Sequence, residues 1–234
     1  MNTMKRLVPR AIRERIRKRL KERQLRFALN RFIELSPDAA PSRELLLKLE
    51  SGWSNEGMSA RLEYLQAVIR YANEVQGAIL ECGSGLTTLV LAAIAQRRGL
   101  DVWTLEDSAV WHKRVSETLH RYKLKSLNNC LVQLKDYGDF AWYEPPLELL
   151  PHTFDLIVCD GPLGTTKAGR YGLLPLLKSH FKTGTTILLD DADRPAEEEA
   201  IHQWSKLIPL QVSLHEQSHG QFAVITIQDT AQQS

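Results

Sequence analysis

Ten residues restrict the architecture most: Ile79-Leu80-Glu81-Cys82-Gly83-Ser84-Gly85-Leu86-Thr87-Thr88, where a short apolar run stops at an acid, crosses two glycines and enters a helix-like pattern. A strand that turns into a helix this way is the ligand-holding device of open α/β sheets. Glycines 83 and 85 let the backbone turn tightly and remove the Cβ atoms that would keep a ligand away. The helix that follows offers unpaired N–H groups at its start. A dinucleotide fingerprint needs a third glycine where this chain has Thr88, and Glu81 would set a negative charge beside a phosphate. The turn therefore suits a cationic or amine-bearing ligand better than a pyrophosphate.

Strand and helix patterns alternate around this turn. Ser59 can cap a helix running to Val75, with Leu62, Leu65, Val68, Ile69 and Ala72 at core-facing intervals. Strands are expected at Ala78 to Glu81, Asp101 to Leu105, Cys130 to Leu134, Phe154 to Cys159 and Thr185 to Leu189. Helices are expected at Leu86 to Gln96, Ser108 to Tyr122, Arg170 to Phe181 and Ala196 to Leu207. This order predicts a parallel sheet covered on both faces. The ending departs from it: Leu210 to Leu214 and Gln221 to Ile227 are too close for a helical crossover, so they read as an antiparallel hairpin.

The Glu81-x-Gly83-x-Gly85 turn resembles the first motif of class I S-adenosylmethionine-dependent methyltransferases, and the resemblance runs from about Ser59 to Ile227. It implies a Rossmann-like, seven-stranded, mostly parallel sheet of order 3-2-1-4-5-7-6 with the C-terminal hairpin antiparallel. It also implies S-adenosyl-L-methionine as cofactor, its methionine part beside Glu81, Gly83, Ser84, Gly85, Thr87 and Thr88. Glu106, with Asp107 next to it, ends the second strand, where a carboxylate can accept from both ribose hydroxyls; it can equally cap the helix starting near Ser108. Asp136 and Tyr137 fall where the family holds adenine, although Asp-Tyr-Gly-Asp is also ordinary turn chemistry.

Asp160, at the carboxyl end of the fourth core strand, enters the same crevice and is the expected proton acceptor and a further cofactor contact. Asp191 should arrive beside it, and two such carboxylates can hold a divalent cation such as Mg. Catechol-type, metal-dependent O-methyltransferases have a similar pair. This chain departs from them, with Ala192 where they place an amide ligand and Leu163 where they place a lysine base; Lys167 is the substitute if the loop curls back. The Asp160-Gly161-Pro162-Leu163-Gly164, Gly169-Arg170-Tyr171-Gly172 and Asp190-Asp191-Ala192-Asp193-Arg194 segments also resemble glycan-directed methyltransferases of the glucuronoxylan type. That resemblance implies a small-molecule or glycan hydroxyl as acceptor, with Arg170 either pairing with an acidic acceptor group or serving as a plain helix-start residue. Two alternatives stay open: an aminopropyltransferase-like enzyme drawing a polyamine to the acidic crevice, and a non-catalytic binding module that retains the fold.

Charge separates the N-terminal segment from the rest. Through Arg31 there are twelve basic and two acidic residues, a net +10, and since the whole chain carries +2, the remainder carries −8. Residues 1–35 read as a basic amphipathic helical leader, with Val8, Ile12, Ile16, Leu20 and Phe27 on one side. Its expected partner is an anionic membrane surface or a polyanion, or else its stripe packs on its own domain or in a homo-oligomer. Residues 36–58 read as a linker and substrate-side loop containing Trp53, 59–228 as the methyltransferase domain and 229–234 as a polar tail. The acidic domain argues against nucleic acid as a partner. No apolar run is long enough to cross a bilayer and the first residues lack a secretion-signal core, so the expected location is cytoplasmic, or peripheral at the inner membrane surface. Cys82, Cys130 and Cys159 lack metal-site or disulfide spacing.

Overall fold

The computed structural model describes residues 9–36, 39–54 and 60–229, and the chain divides into two units after residue 59. The first is a pair of helices, α1 (Arg10–Ile33) and α2 (Arg43–Trp53). Ser42 caps α2 by accepting from the Leu45 N–H at 3.2 Å. Gly52 lets the helices touch: a Cβ there would lie 2.6 Å from the Leu25 nitrogen. The Lys21 ammonium reaches the Ser54 hydroxyl at 2.5 Å. The leader is thus half of a hairpin rather than a unit ending at residue 35, because Leu46 and Leu49 give α2 its own buried face. Trp53 lies buried in the last turn of α2, not in a loop. Residues 55–59 of the expected substrate-side loop, Val8, and the tail beyond Asp229 lie outside the described residues.

The second unit runs α3 (Leu62–Glu74), β1 (Ala78–Cys82), α4 (Leu86–Arg98), β2 (Val102–Glu106), α5 (Ala109–Arg121), β3 (Asn128–Leu131), β4 (Leu134–Asp136), β5 (Ala141–Tyr143), β6 (Phe154–Cys159), α6 (Leu173–Leu177), β7 (Phe181–Leu189), α7 (Pro195–Leu207), β8 (Leu210–Glu216) and β9 (Gln221–Ile227). Seven strands form one sheet in the order β3-β2-β1-β6-β7-β9-β8, and β4 pairs only with β5. With that small hairpin set aside, the order is the expected 3-2-1-4-5-7-6. The last three strands pair antiparallel and the others parallel.

The central strands are covered on both faces, so period-2 alternation sorts two apolar sets rather than one. Leu80, Cys82, Leu105, Ile157, Cys159, Ile187 and Leu189 join Leu173, Leu177, Ala200 and Trp204 of α6 and α7 in one cluster. Ile79, Val158 and Leu188 belong to the other face, where the Tyr64 hydroxyl of α3 donates to the Leu188 carbonyl at 3.0 Å. Each fully buried Leu or Ile contributes about 1.5–3 kcal/mol.

Three local expectations change. The run Cys130 to Leu134 is not one strand: β3 stops at Leu131 opposite Glu106, and the chain then turns into the β4–β5 hairpin, which buries Trp142 and Tyr143. The helix expected from Arg170 to Phe181 is only α6 and a 3-10 turn, Lys178–His180. The α3 cap is Arg61 rather than Ser59, and it makes no side-chain cap bond.

Candidate functional site

The parallel ladder continues one residue past each strand, so four chain reversals begin at one level. Gly83 N–H donates to Leu105 O at 2.9 Å, Asp160 N–H to Cys82 O at 3.0 Å, Asp190 N–H to Cys159 O at 3.0 Å and Val132 N–H to Glu106 O at 2.9 Å. The glycine turn, Glu106, Asp160 and Asp190 are thereby brought to a single carboxyl edge, where ligands of open α/β sheets bind.

The turn has a closed side and an open side. Gly83 has φ +89°, and a Cβ there would meet Gly161 backbone atoms at 2.9 Å. A Cβ on Gly161 would in turn lie 2.4 Å from the Tyr143 hydroxyl. The turn after β1 and the Asp160–Gly161 segment are therefore in direct backbone contact. At Gly85 a Cβ would meet nothing within 4 Å. Its φ of −176° is open to any residue, so what glycine leaves at this position is room for a ligand.

Glu106 is bound into this corner. Its Oε2 accepts from the Ser84 N–H at 2.9 Å and the Ser84 hydroxyl at 2.7 Å, and its Oε1 from the Ser108 N–H at 2.8 Å. A carboxylate has about four acceptor positions, so room remains for a hydroxyl. Of the two alternatives left open by the sequence, the contact with the start of α5 is made, and Glu106 also steadies the turn. Asp107, half-buried beside it, has its pKa raised by burial. The Trp111 indole N–H donates to the Ser84 carbonyl, a contact no local sequence signal announced.

Glu81 corrects an expectation. Because β1 extends to Cys82, Glu81 lies inside the sheet and not at its rim. It is wholly buried, and its Oε2 accepts from Thr88 Oγ1 at 2.7 Å and Thr104 Oγ1 at 2.8 Å. Thr88 Oγ1 also accepts from the Gly85 N–H at 2.8 Å. The residue standing where a third glycine would be expected thus ties the turn to Glu81. Thr87 and Thr88 are buried with it, so these three residues support the turn from beneath rather than line the ligand side. Burial pushes the Glu81 pKa up to about 7, with Thr87, Thr88 and Thr104 hydroxyls holding it down only in part.

On the far side of the turn, Asp160, Asp190 and Asp191 bring carboxylate oxygens within 4.8 Å of one another. Arg170 enters this group from the loop before α6, only 1% exposed. One of its terminal nitrogens, Nη2, donates to Asp160 Oδ1 at 3.2 Å, Asp191 Oδ2 at 3.0 Å and the Asp160 carbonyl at 2.9 Å, while Nη1 donates to the Asp190 carbonyl. Its Nε lies 3.8 Å from the buried Glu197 carboxylate. Arg194 Nη1 adds a second pair to Asp191 at 2.9 Å, and the Gln217 amide donates to Asp190 Oδ1 at 2.8 Å. Asp191 holds φ +53°, a left-handed conformation that Asp tolerates better than most residues. Burial and the neighbouring Asp190 and Asp191 charges push the Asp160 pKa well above the carboxylate range, against the opposing pull of Arg170.

Arg170 is therefore not presented to an acceptor, as the sequence suggested; its fork is spent on the chain's own acids. The same contacts bear on the divalent cation expected at Asp160 and Asp191. Both carboxylates already pair with the buried Arg170 guanidinium, and Asp191 also with the exposed Arg194, so an ion would have to stand against that fixed positive charge. The residues as arranged do not fit a metal. Lys167 does not curl back to Asp160: its ammonium donates to the Gly138 carbonyl and lies 3.6 Å from Asp136. Asp136 is exposed and accepts from the Gly138 N–H at 2.9 Å, and Tyr137 stacks on Phe140 with centroids 5.3 Å apart. Here the turn chemistry is realised.

No protein-family model and no curated protein sequence matches the chain. Solved structures do. The S-adenosylhomocysteine-bound Podospora anserina methyltransferase PaMTH1 superposes with TM-score 0.58 at 16% identity, over 95% of this chain and 99% of that one. The Bacillus cereus O-methyltransferase in complex with S-adenosylhomocysteine gives 0.55 at 17%, over 82% and 94%. The chain has the class I methyltransferase fold. Within that fold the acceptor varies: the Bacillus subtilis tRNA methyltransferase TrmK also matches, with TM-score 0.50 at 14% identity over 74% of this chain and 68% of that one.

Proposed function

We propose that the chain is an S-adenosylmethionine-dependent methyltransferase acting on a hydroxyl of a sugar or small polar molecule. The observation that carries this reading is the backbone contact between the Gly83 turn and the Asp160–Gly161 segment, which sets an open cradle at Gly85 beside a carboxylate of raised pKa. In this reading Gly85 admits the methionine part, Glu106 accepts from the ribose, and Asp136 and Tyr137 edge the adenine. A bound sulfonium supplies an already activated methyl, so the protein's work is to position the acceptor and take its proton.

Asp160 takes that proton. Its side chain is 27% exposed and so open to an acceptor from one side, and its raised pKa brings its basicity nearer to what a neutral-pH base needs. As the acceptor oxygen bonds to the methyl carbon and the sulfur–methyl bond breaks, the hydroxyl proton passes to the Asp160 carboxylate. Arg170 fixes the rotamer of Asp160 and limits how far its pKa can rise. The absence of the amide-proline-proline-aromatic signature of amino-group methylation, with Asp160-Gly161-Pro162 in its place, favours oxygen over nitrogen. Aminopropyl transfer is not favoured: Arg170 and Arg194 already compensate the acids that would attract a polyamine. The test is a panel of hydroxylated sugars and small polar acceptors, with S-adenosylhomocysteine release as the readout. Turnover should need ionised Asp160 and vanish in Asp160→Asn; full turnover in that variant would overturn the assignment.

A further inference from the structure

The catalytic reading leaves α1 unused, yet that helix has an unusual surface. Between Arg10 and Ile33 it carries ten basic and two acidic residues, a net +8. Lys21, Gln24 and Leu25 lie on the side that meets α2, as their contacts with Ser54, the Lys48 carbonyl and Gly52 establish. Outside that contact Ile12, Ile16, Leu20 and Phe27 are 47%, 51%, 58% and 56% exposed, with the Lys48 ammonium of α2 over the Phe27 ring at 5.7 Å from its centroid. At about 100° per residue these four span about 80° of the helix circumference, a single stripe. Arg19, Arg23 and Arg26 fall within or beside it, and none has an ion-pair partner among the described residues.

We propose that this face of α1 is a docking surface for an anionic lipid bilayer, with Ile12, Ile16, Leu20 and Phe27 seated at the headgroup level and the flanking arginines reaching lipid phosphates. Charge complementarity selects this occupant. A second copy of the helix would bring +8 against +8. A nucleic acid would satisfy the arginines and leave four large apolar side chains in water. An anionic interface takes both: apolar side chains enter the acyl boundary while long basic side chains extend to the headgroups. Among the described residues no helix is long and apolar enough to cross a membrane, so the attachment is in-plane and reversible. It does not depend on what the second unit catalyses.

The experiment uses the full chain with sedimented vesicles of pure phosphatidylcholine or of phosphatidylcholine with about a third phosphatidylserine. Binding to the anionic vesicles should be at least tenfold tighter and should weaken as salt is raised. The double variant Ile16→Glu/Leu20→Glu, at two exposed positions, should lose at least tenfold of that affinity while its circular dichroism and melting temperature stay unchanged. Equal recovery with both vesicle types would overturn the proposal. So would undiminished anionic binding by the double variant, since simple charge attraction would then suffice. A concentration-dependent dimer in light scattering, abolished by the same two substitutions, would assign the stripe to a second copy instead.

Discussion

The two corners of the sheet edge handle buried acid in opposite ways. At the Glu106 corner one carboxylate is met by neutral donors, the Ser84 and Ser108 N–H groups and the Ser84 hydroxyl, each within 2.9 Å. At the Asp160 corner three carboxylates crowd together and a buried guanidinium compensates them. Neutral donors leave part of a carboxylate's acceptor capacity free, which suits holding hydroxyl groups. Burial together with neighbouring acids raises carboxylate pKa values, as it does for Asp160 and Asp190, and suits moving a proton. In the proposed function, cofactor binding falls to the first corner and acceptor chemistry to the second.

The contrast breaks most severely at Arg170. Replacing it with Ala leaves Asp160, Asp191 and Glu197 facing one another without their buried cation, and a loss of about 3–5 kcal/mol is expected from thermal or denaturant unfolding. Glu81 sharpens the comparison from beneath the turn. Its folded pKa of about 7 stands above the ordinary glutamate value of 4.5, so its contribution is fully present below pH 4.5 and is lost as pH rises through 7. Unfolding of wild type and Glu81→Gln across that window should show the wild type losing about 3 kcal/mol relative to the variant. Gly83→Ala strains a positive-φ position against Gly161 backbone and should cost about 1–3 kcal/mol, with weakened cofactor binding. Smallest of all is chelation: because Arg170 and Arg194 already compensate Asp160 and Asp191, EDTA should leave both cofactor binding and turnover unchanged.

Much of the fold was legible because strand-helix alternation and a hairpin too short for a crossover leave few topologies. The placement of two acids was legible: Glu106 and Asp160 lie at the carboxyl edge, as their places after the apolar runs implied. Glu81 was misplaced because an acid after Ile79-Leu80 reads as the strand's end, whereas the ladder continues through Cys82 and turns the carboxylate inward. Arg170 was read as pairing with an acidic acceptor group or as a plain helix-start residue, and neither reading anticipated its partners. Its contacts with Asp160, Asp190 and Asp191 join segments up to twenty-one residues apart, and no local pattern records such a convergence. The β4–β5 hairpin was missed because three-residue strands are too short to show a period.

Calorimetry with S-adenosylmethionine on wild type, Glu106→Ala and Asp160→Asn tests the division of labour most directly. One molecule should bind per wild-type chain, with affinity falling at least tenfold in Glu106→Ala and staying within about twofold in Asp160→Asn. No binding to the wild type, or a loss in Asp160→Asn as large as that in Glu106→Ala, would contradict it.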